Sequence, residues 1–447
     1  MNINISKKRI KNIMGIKSNS KKSLLFRHIF KINLNHDILL SKIMHLDNAM
    51  YMKFPNSNHS YFGFETALEY DINSKEEFNE LKKTIYKPIS NSKNDTILIF
   101  GTSSFDMDTK AAYPWNNIPK AYFFIPKFLI TFSKQECYLT YTLKIDKQFS
   151  EQKILDDFKE ISPIIDNKKN NEINKEIILN KKTSIPNKQT YLNDIEHILS
   201  DLENQKYSKL VLSRIEKYTL SQTIPADLII DAVIKKHPNC FNFMIKRKDS
   251  YFMGSSPEEL ITLNGKKYST QALAGTSRNN NLVHNKKEVE EHEYVIEHIQ
   301  NTLQPISSNI NIQRNKKPLN LSYAYHLKTP IHGELIKKKH ILNVLDKLYP
   351  TPALAGSPIE KSKKYIQKIE KNDRGWFGGS IGVYTNDGNG KFYVPIRSCL
   401  VKKNEVYFYA GAGIIKGSNA IDEWEETKIK LKHMQSIIEK LIQNNID

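Results

Sequence analysis

Cysteine is scarce in this 447-residue chain: Cys137, Cys240 and Cys399 are odd in number and far apart. Such thiols build neither a disulfide framework nor a metal cluster, and they suit a reducing compartment. Long apolar runs are missing as well. TILIF and AYFFIPKFLITF are short or broken by Lys and Pro, well below the roughly 20 residues that span a bilayer. The Lys-rich, polar start holds no sustained apolar core before a small-residue cleavage site, so no secretory leader is expected. These absences predict a cytoplasmic protein with no membrane partner. No internal repeat is visible.

Arginine is also rare. The formal charge is +19, yet only 8 of the 67 basic residues are Arg, and the lysines are spread along the chain amid Asn and Ile. Nucleic-acid binders tend to gather charge on one face, with Arg prominent among base contacts. The composition therefore predicts no nucleic-acid partner. What is present is a globular signature, 39% hydrophobic and 10% aromatic.

Residues 1–30 read as an extension outside the fold, 31–164 as the first part of the folded unit, and 191–447 as its denser remainder. Between them, DNKKNNEINKEIILNKKTSIPNKQT (165–190 region) is Lys/Asn-rich and reads as a surface linker. KLVLSRIEKYTL alternates like a strand, and ELITLNGKKYSTQAL reads as a hairpin turned by Asn-Gly. KKEVEEHEYVIEHIQNTLQPI reads as a helix stopped near Pro305, and DEWEETKIKLKHMQSIIEKLIQ as an amphipathic C-terminal helix. Strands and helices mix without regular βαβ alternation, which predicts an α+β fold of one large domain, mainly antiparallel.

Four carboxylates crowd IDEWEETK, residues 421–428. Glu423 and Glu426 are three apart and share a helix face; Glu288 and Glu291 in KEVEEHE repeat that spacing. Either pair alone reads as solvated surface. Two such helices could instead meet around a hard cation such as Mg²⁺, which prefers oxygen ligands. AGAG (410–413) reads as a turn after a strand, and AGT (274–276) likewise; glycines there let backbone N–H groups approach an anion. Arg397, inside the strand VPIRSCL, suits either a structural salt bridge or a carboxylate ligand. Lys209 opens one strand and Glu258 follows another. A lysine base must be neutral, and a glutamic acid donor must be held protonated by burial.

KLVLSR, GSSPEEL, ALAGTSR, KEVEEHEYVIEHI, HLKTPIHGEL, LYPTPALAGSP, RGWFGGSIGVY, FYVPIRS, AGAGIIKGS and DEWEETKIKL follow one another from Lys209 onward. The series resembles the chorismate-utilising enzymes, the isochorismate, anthranilate, aminodeoxychorismate and salicylate synthases. The resemblance covers the C-terminal half closely and the N-terminal part loosely. It implies layered antiparallel sheets flanked by helices, a monomer, and a magnesium site. Glu291 and Glu426 would hold Mg²⁺, with Glu288 and Glu423 touching it directly or through water. Arg397 and the backbone of Gly411, Ala412 and Gly413 would hold the enolpyruvyl carboxylate of chorismate. Gly275, Thr276 and His326 would line the ring, with Lys430 near the substrate carboxylates.

Within this family the position of Lys209 is typically Gln in the ammonia-using members. A lysine implies that water is the nucleophile, with Lys209 as base and Glu258 as acid to the leaving C4 hydroxyl. Salicylate synthases share the lysine, but carry Tyr and often Thr where this chain has Phe377 and Ala353. The resemblance is thus closest to isochorismate synthase, an isomerase whose product feeds menaquinone, siderophore or salicylate synthesis. A salicylate synthase is the alternative enzyme, and an inactive polyanion-binding protein the alternative of another class.

Overall fold

A computed structural model describes residues 24–42, 46–84, 96–133, 136–145, 150–165, 176–277, 281–314, 317–320 and 325–443. Its strands form one continuous, entirely antiparallel hydrogen-bonded network, with helices packed against it. The α+β, single-domain expectation holds.

The two halves of the chain are stitched together by strand pairing. Asn48–Lys53 lies between Ser60–Ile72 and the distant Phe241–Arg247. Leu98–Ser103 lies between Ala121–Phe132 and Ser380–Thr385. Neither expected boundary segment is wholly outside the fold. Residues 1–23 lie outside the described residues, but Leu24–Ile32 is a strand paired with Cys137–Ile145 over nine residues. Residues 166–175 of the expected linker are likewise outside. Its remainder holds the strand Leu179–Ile185 and the start of the helix Lys188–Glu203. Composition misled at Leu179–Ile185 because LNKKTSI buries no side chain fully, yet its backbone is satisfied by pairing with a neighbouring strand.

At the centre, Lys209–Leu220 pairs with Glu405–Ile415 along its whole length, Lys209 opposite Ile415 and Leu212 opposite Ala412. Residues 209–216 are all buried, so this strand is covered on both faces. Two helices close over it. Lys286–Leu303 begins where the Asn285 side chain accepts the N–H groups of Lys287 and Glu288. Its buried stripe, Glu288, Glu291, His292, Val295, Ile296, Ile299 and Leu303, follows helical spacing. Each fully buried aliphatic side chain there stabilises by about 1.5–3 kcal/mol. Ala420–Gln443 is capped by Asn419, whose side chain accepts from Ile421 and Asp422 N–H. It buries Glu423, Trp424, Thr427, Leu431 and Met434.

Candidate active site

The acidic cluster divides by helix face. Asp422 and Ile421 are exposed, and Glu425 pairs with Lys428 at the surface. Glu423 turns inward with no exposed area, and Glu288 and Glu291 on the facing helix are buried as well. Both inward pairs lie in the first two turns of their helices, where the N-terminal end of the dipole favours negative charge.

Lys209 is fully buried, and its Nζ lies 2.9 Å from Glu291 Oε1. The sequence offered no sign of this partner. Burial opposes ionisation of Glu291, but Lys209, Lys430 and Lys287 together hold its carboxyl below the ordinary range. Gly413 makes the contact possible: a Cβ there would stand 2.3 Å from Glu291 Oε1 and 2.9 Å from Lys209 Cε. Glu258 sits at the break between the strands Ser250–Ser256 and Glu259–Asn264. Burial pushes its carboxyl up to about 7, against the opposing pull of Lys209, Arg397 and Lys430. It is a buried acid whose proton is lost only as pH rises through about 7.

At the other end of the site, Arg397 has a left-handed backbone, φ 54°, and is buried. A non-glycine residue in that region is strained, and such strain is concentrated at functional sites. Its Nη2 donates to His326 Nε2 at 2.8 Å, and His326 Nδ1 lies 2.8 Å from the Gly275 carbonyl. Those two bonds fix the imidazole as neutral, with Nδ1–H donating. Burial, Arg397 and Lys430 hold His326 well below its usual pKa, in agreement. Gly275, φ 77°, forms a bulge in the strand Lys267–Ser277 with its Cα against Glu288. The side chain of Thr276 lies outside the described residues.

A cavity of about 710 Å³, part of it open to solvent, joins these groups. Glu258, Gly275, Glu291, His326, Ala353, Phe377, Arg397, Gly411 and Lys430 all line it. Lys209 is not a lining residue but stands behind Glu291. Ala412, Gly413, Glu288, Glu423 and Glu426 are also set back. Three expectations are corrected: Arg397 is not inside a strand but immediately precedes Ser398–Lys402, and AGT and AGAG are not turns after strands but lie within the strands Lys267–Ser277 and Glu405–Ile415. Val211 and Ser213 direct their N–H groups away from that strand, so Leu212 faces it and occupies the N–H of Ala412 in the ladder. Ala412 therefore drops out as an anion ligand. Gly411 and Gly413 point the other way, and the Gly411 carbonyl accepts from Lys430 Nζ at 2.8 Å. The sequence reading missed Tyr409, whose ring stacks on Phe377 at 5.2 Å, and Arg374. Arg374 stands inside a quoted motif and is one of only eight arginines, a signal that was available.

Among the described residues, no three His, Cys, Asp or Glu side chains are gathered at metal-binding spacing. Instead the four glutamates meet lysines. Lys287 Nζ is 2.5 Å from Glu423 and 3.9 Å from Glu288, and Lys430 Nζ is 2.6 Å from Glu426. Burial works against the charge on Lys287, but Glu423 and Glu426 raise its pKa overall. Burial and Glu426 push Glu423 up to about 7, and its Oε2 is buried without a well-formed hydrogen bond. The four glutamates thus meet three lysines, and Glu423 Oε2 is buried beside them without a well-formed hydrogen bond. That donor set fits a divalent cation.

The chain matches the family described as "Chorismate binding enzyme" over residues 10–439. It is 27% identical to isochorismate synthase MenF of Bacillus subtilis (strain 168) over 429 residues, 88% of each chain. It is 29% identical to isochorismate synthase EntC of Escherichia coli (strain K12) over 269 residues, 58% of this chain and 69% of that one. Among solved structures it is similar to MenF, the menaquinone-specific isochorismate synthase of Escherichia coli. The TM-score is 0.78 at 22% identity, covering 96% of this chain and 98% of the other, which speaks for the fold. No helix among the described residues is long and apolar enough to cross a membrane.

Proposed function

Since this chain belongs to the chorismate-binding enzyme family, we propose that it is a magnesium-dependent isochorismate synthase. The observation that carries this reading is a fully buried lysine, Lys209, joined through Glu291 to the cavity lined by Glu258, whose carboxyl is raised to about 7 by burial. Lys209 can take a proton from water only when it is neutral, a state that a cation drawing on Glu291 would favour by weakening the ion pair, and Glu258 can give one to a leaving hydroxyl.

Arg397, held by His326, receives the enolpyruvyl carboxylate, with Lys430 supplying further positive charge. Water adds at C2 of the ring and Lys209 takes its proton. The ring double bond shifts, and the C4 hydroxyl departs as water with the proton from Glu258. No oxidant or reductant is needed, and water is consumed and released in equal amounts. Glu288, Glu291, Glu423 and Glu426 would hold Mg²⁺, which when bound supplies positive charge for the ring carboxylate. Because Glu291 serves both Lys209 and the metal set, base and metal site share one carboxylate.

The apolar Phe377 and the small Ala353 on the cavity wall support a reaction that ends at isochorismate. Neither offers a hydroxyl to orient the enolpyruvyl group for elimination. Incubation with chorismate and Mg²⁺, with and without ammonium, tests the reading by product chromatography. Isochorismate is expected in both. Salicylate plus pyruvate as first products, or an aminated product, would overturn it.

A further inference from the structure

Along one edge the strand Lys209–Leu220 is paired throughout. Along the other, Gly356–Ser357 pairs with Lys209 and Leu210, and Leu179–Ile185 pairs only from Ile215 onward. Residues 211–214 have no strand partner on that side among the described residues. Loop and side-chain atoms close the gap. Val211 N–H donates to the Ala355 carbonyl at 3.0 Å, the Val211 carbonyl accepts from Arg374 Nη2 at 2.9 Å, and Ser213 N–H donates to Glu370 Oε1 at 2.6 Å.

Arg374 and Glu370 also bind each other in a bidentate pair, Nε to Oε2 at 2.8 Å and Nη2 to Oε1 at 2.5 Å. Nη1 of Arg374 reaches the Leu354 carbonyl at 2.8 Å, and its guanidinium lies 4.2 Å from the centre of the Phe105 ring. The Arg374 carbonyl accepts from Phe377 N–H at 3.0 Å. Both side chains are buried, and Arg374 is only 5% exposed. Four hydrogen bonds to protein acceptors use most of its five N–H donors, so although it lines the cavity it has little left for a substrate.

We propose that Arg374 and Glu370 act as one positioning unit for the chemistry in this cavity, a proposal that rests on reading the cavity as the chorismate site. The unit holds three walls at fixed spacing: the strand two residues from Lys209, the segment next to Ala353, and the turn that carries Phe377. A planar fork is required. A lysine at 374 keeps the charge but cannot reach two carbonyls and a carboxylate together. A misplacement of about 1 Å costs about 10²-fold in rate.

Arg374→Lys, Glu370→Gln and Glu370→Asp in the full chain test this, with chorismate loss followed whatever the product. The expected result is a kcat lowered about 30–100-fold, with KM for chorismate within about threefold of the parent. Arg374→Lys combined with Glu370→Gln should be no worse than either alone, because the two act together. Amide exchange at Ser213 and Phe377 should quicken, while the helix Lys286–Leu303 keeps its protection. Faster exchange with kcat within threefold would show a merely structural pair and overturn the proposal. A raised KM with unchanged kcat would make Arg374 a substrate ligand and also overturn it. Failure of all three variants to fold would do the same, since the pair would then be framework. Exchange needs no substrate, so a wrong assignment of the reaction shows in the parent's products and not here.

Discussion

The pH dependence of the reaction follows from Glu258. Moving its carboxyl from an ordinary 4.5 to about 7 means that ionisation costs roughly 3 kcal/mol more in the site than in water. A donor acts only while protonated. About nine-tenths of the free enzyme carries that proton at pH 6 and about one-tenth at pH 8, so kcat/KM should fall about tenfold per pH unit above 7. Stability carries the same signature. A raised acid binds its proton more tightly folded than unfolded, so its contribution is complete below pH 4.5 and is lost as pH rises through 4.5 to 7. Glu258→Gln cannot ionise and escapes that loss. It should lose about 10²–10⁴-fold in kcat, yet gain up to about 3 kcal/mol over the parent on going from pH 4.5 to pH 8. Rate profiles and denaturant titrations at several pH values read both effects. A parent profile flat from pH 6 to 8.5, or a variant that gains nothing at pH 8, refutes the argument.

Lys209→Ala should lower kcat by about 10²–10⁴-fold and, by leaving Glu291 buried and unpaired, destabilise by about 3–5 kcal/mol in a denaturant titration. Gly413→Ala forces a methyl group into the Lys209–Glu291 contact; a cost of about 1–3 kcal/mol and a lower kcat are expected, read by melting and steady-state kinetics. Glu426→Gln should shift the Mg²⁺ titration of activity to higher concentration, and an unchanged titration would separate Glu426 from the metal. Phe377→Tyr combined with Ala353→Thr should make pyruvate detectable in a coupled lactate dehydrogenase assay, where the parent releases none.

Strong periodicity makes some elements legible from residue order alone: the helices around 286–306 and 420–443, and the strand from Lys209. The four glutamates are legible too, because their i, i+3 spacing recurs on two helices. Three things are not. Leu179–Ile185 is a strand whose polar sequence, LNKKTSI, hides it, and Leu24–Ile32 follows a Lys-rich start; each is held by a ladder with a partner elsewhere in the chain. AGAG looks like a turn because glycine usually marks one, whereas here it thins a buried strand so that Glu291 can approach. The lysine partners of the glutamates cannot be inferred from spacing. Lys209 lies 82 positions before Glu291, and only the packing of helix on strand brings them together.

The pairing of Leu98–Ser103 with Ser380–Thr385 has a consequence for biogenesis. At about 5–20 residues per second, the ribosome needs roughly 15–60 s to supply the second strand after the first. During that interval the nascent chain bears an open sheet margin, LIFGTS, that begins with three apolar residues, the kind of surface that seeds association between chains. A holdase bound until translation ends would therefore raise the yield of active protein, and the gene cut into separately expressed halves should give little of it.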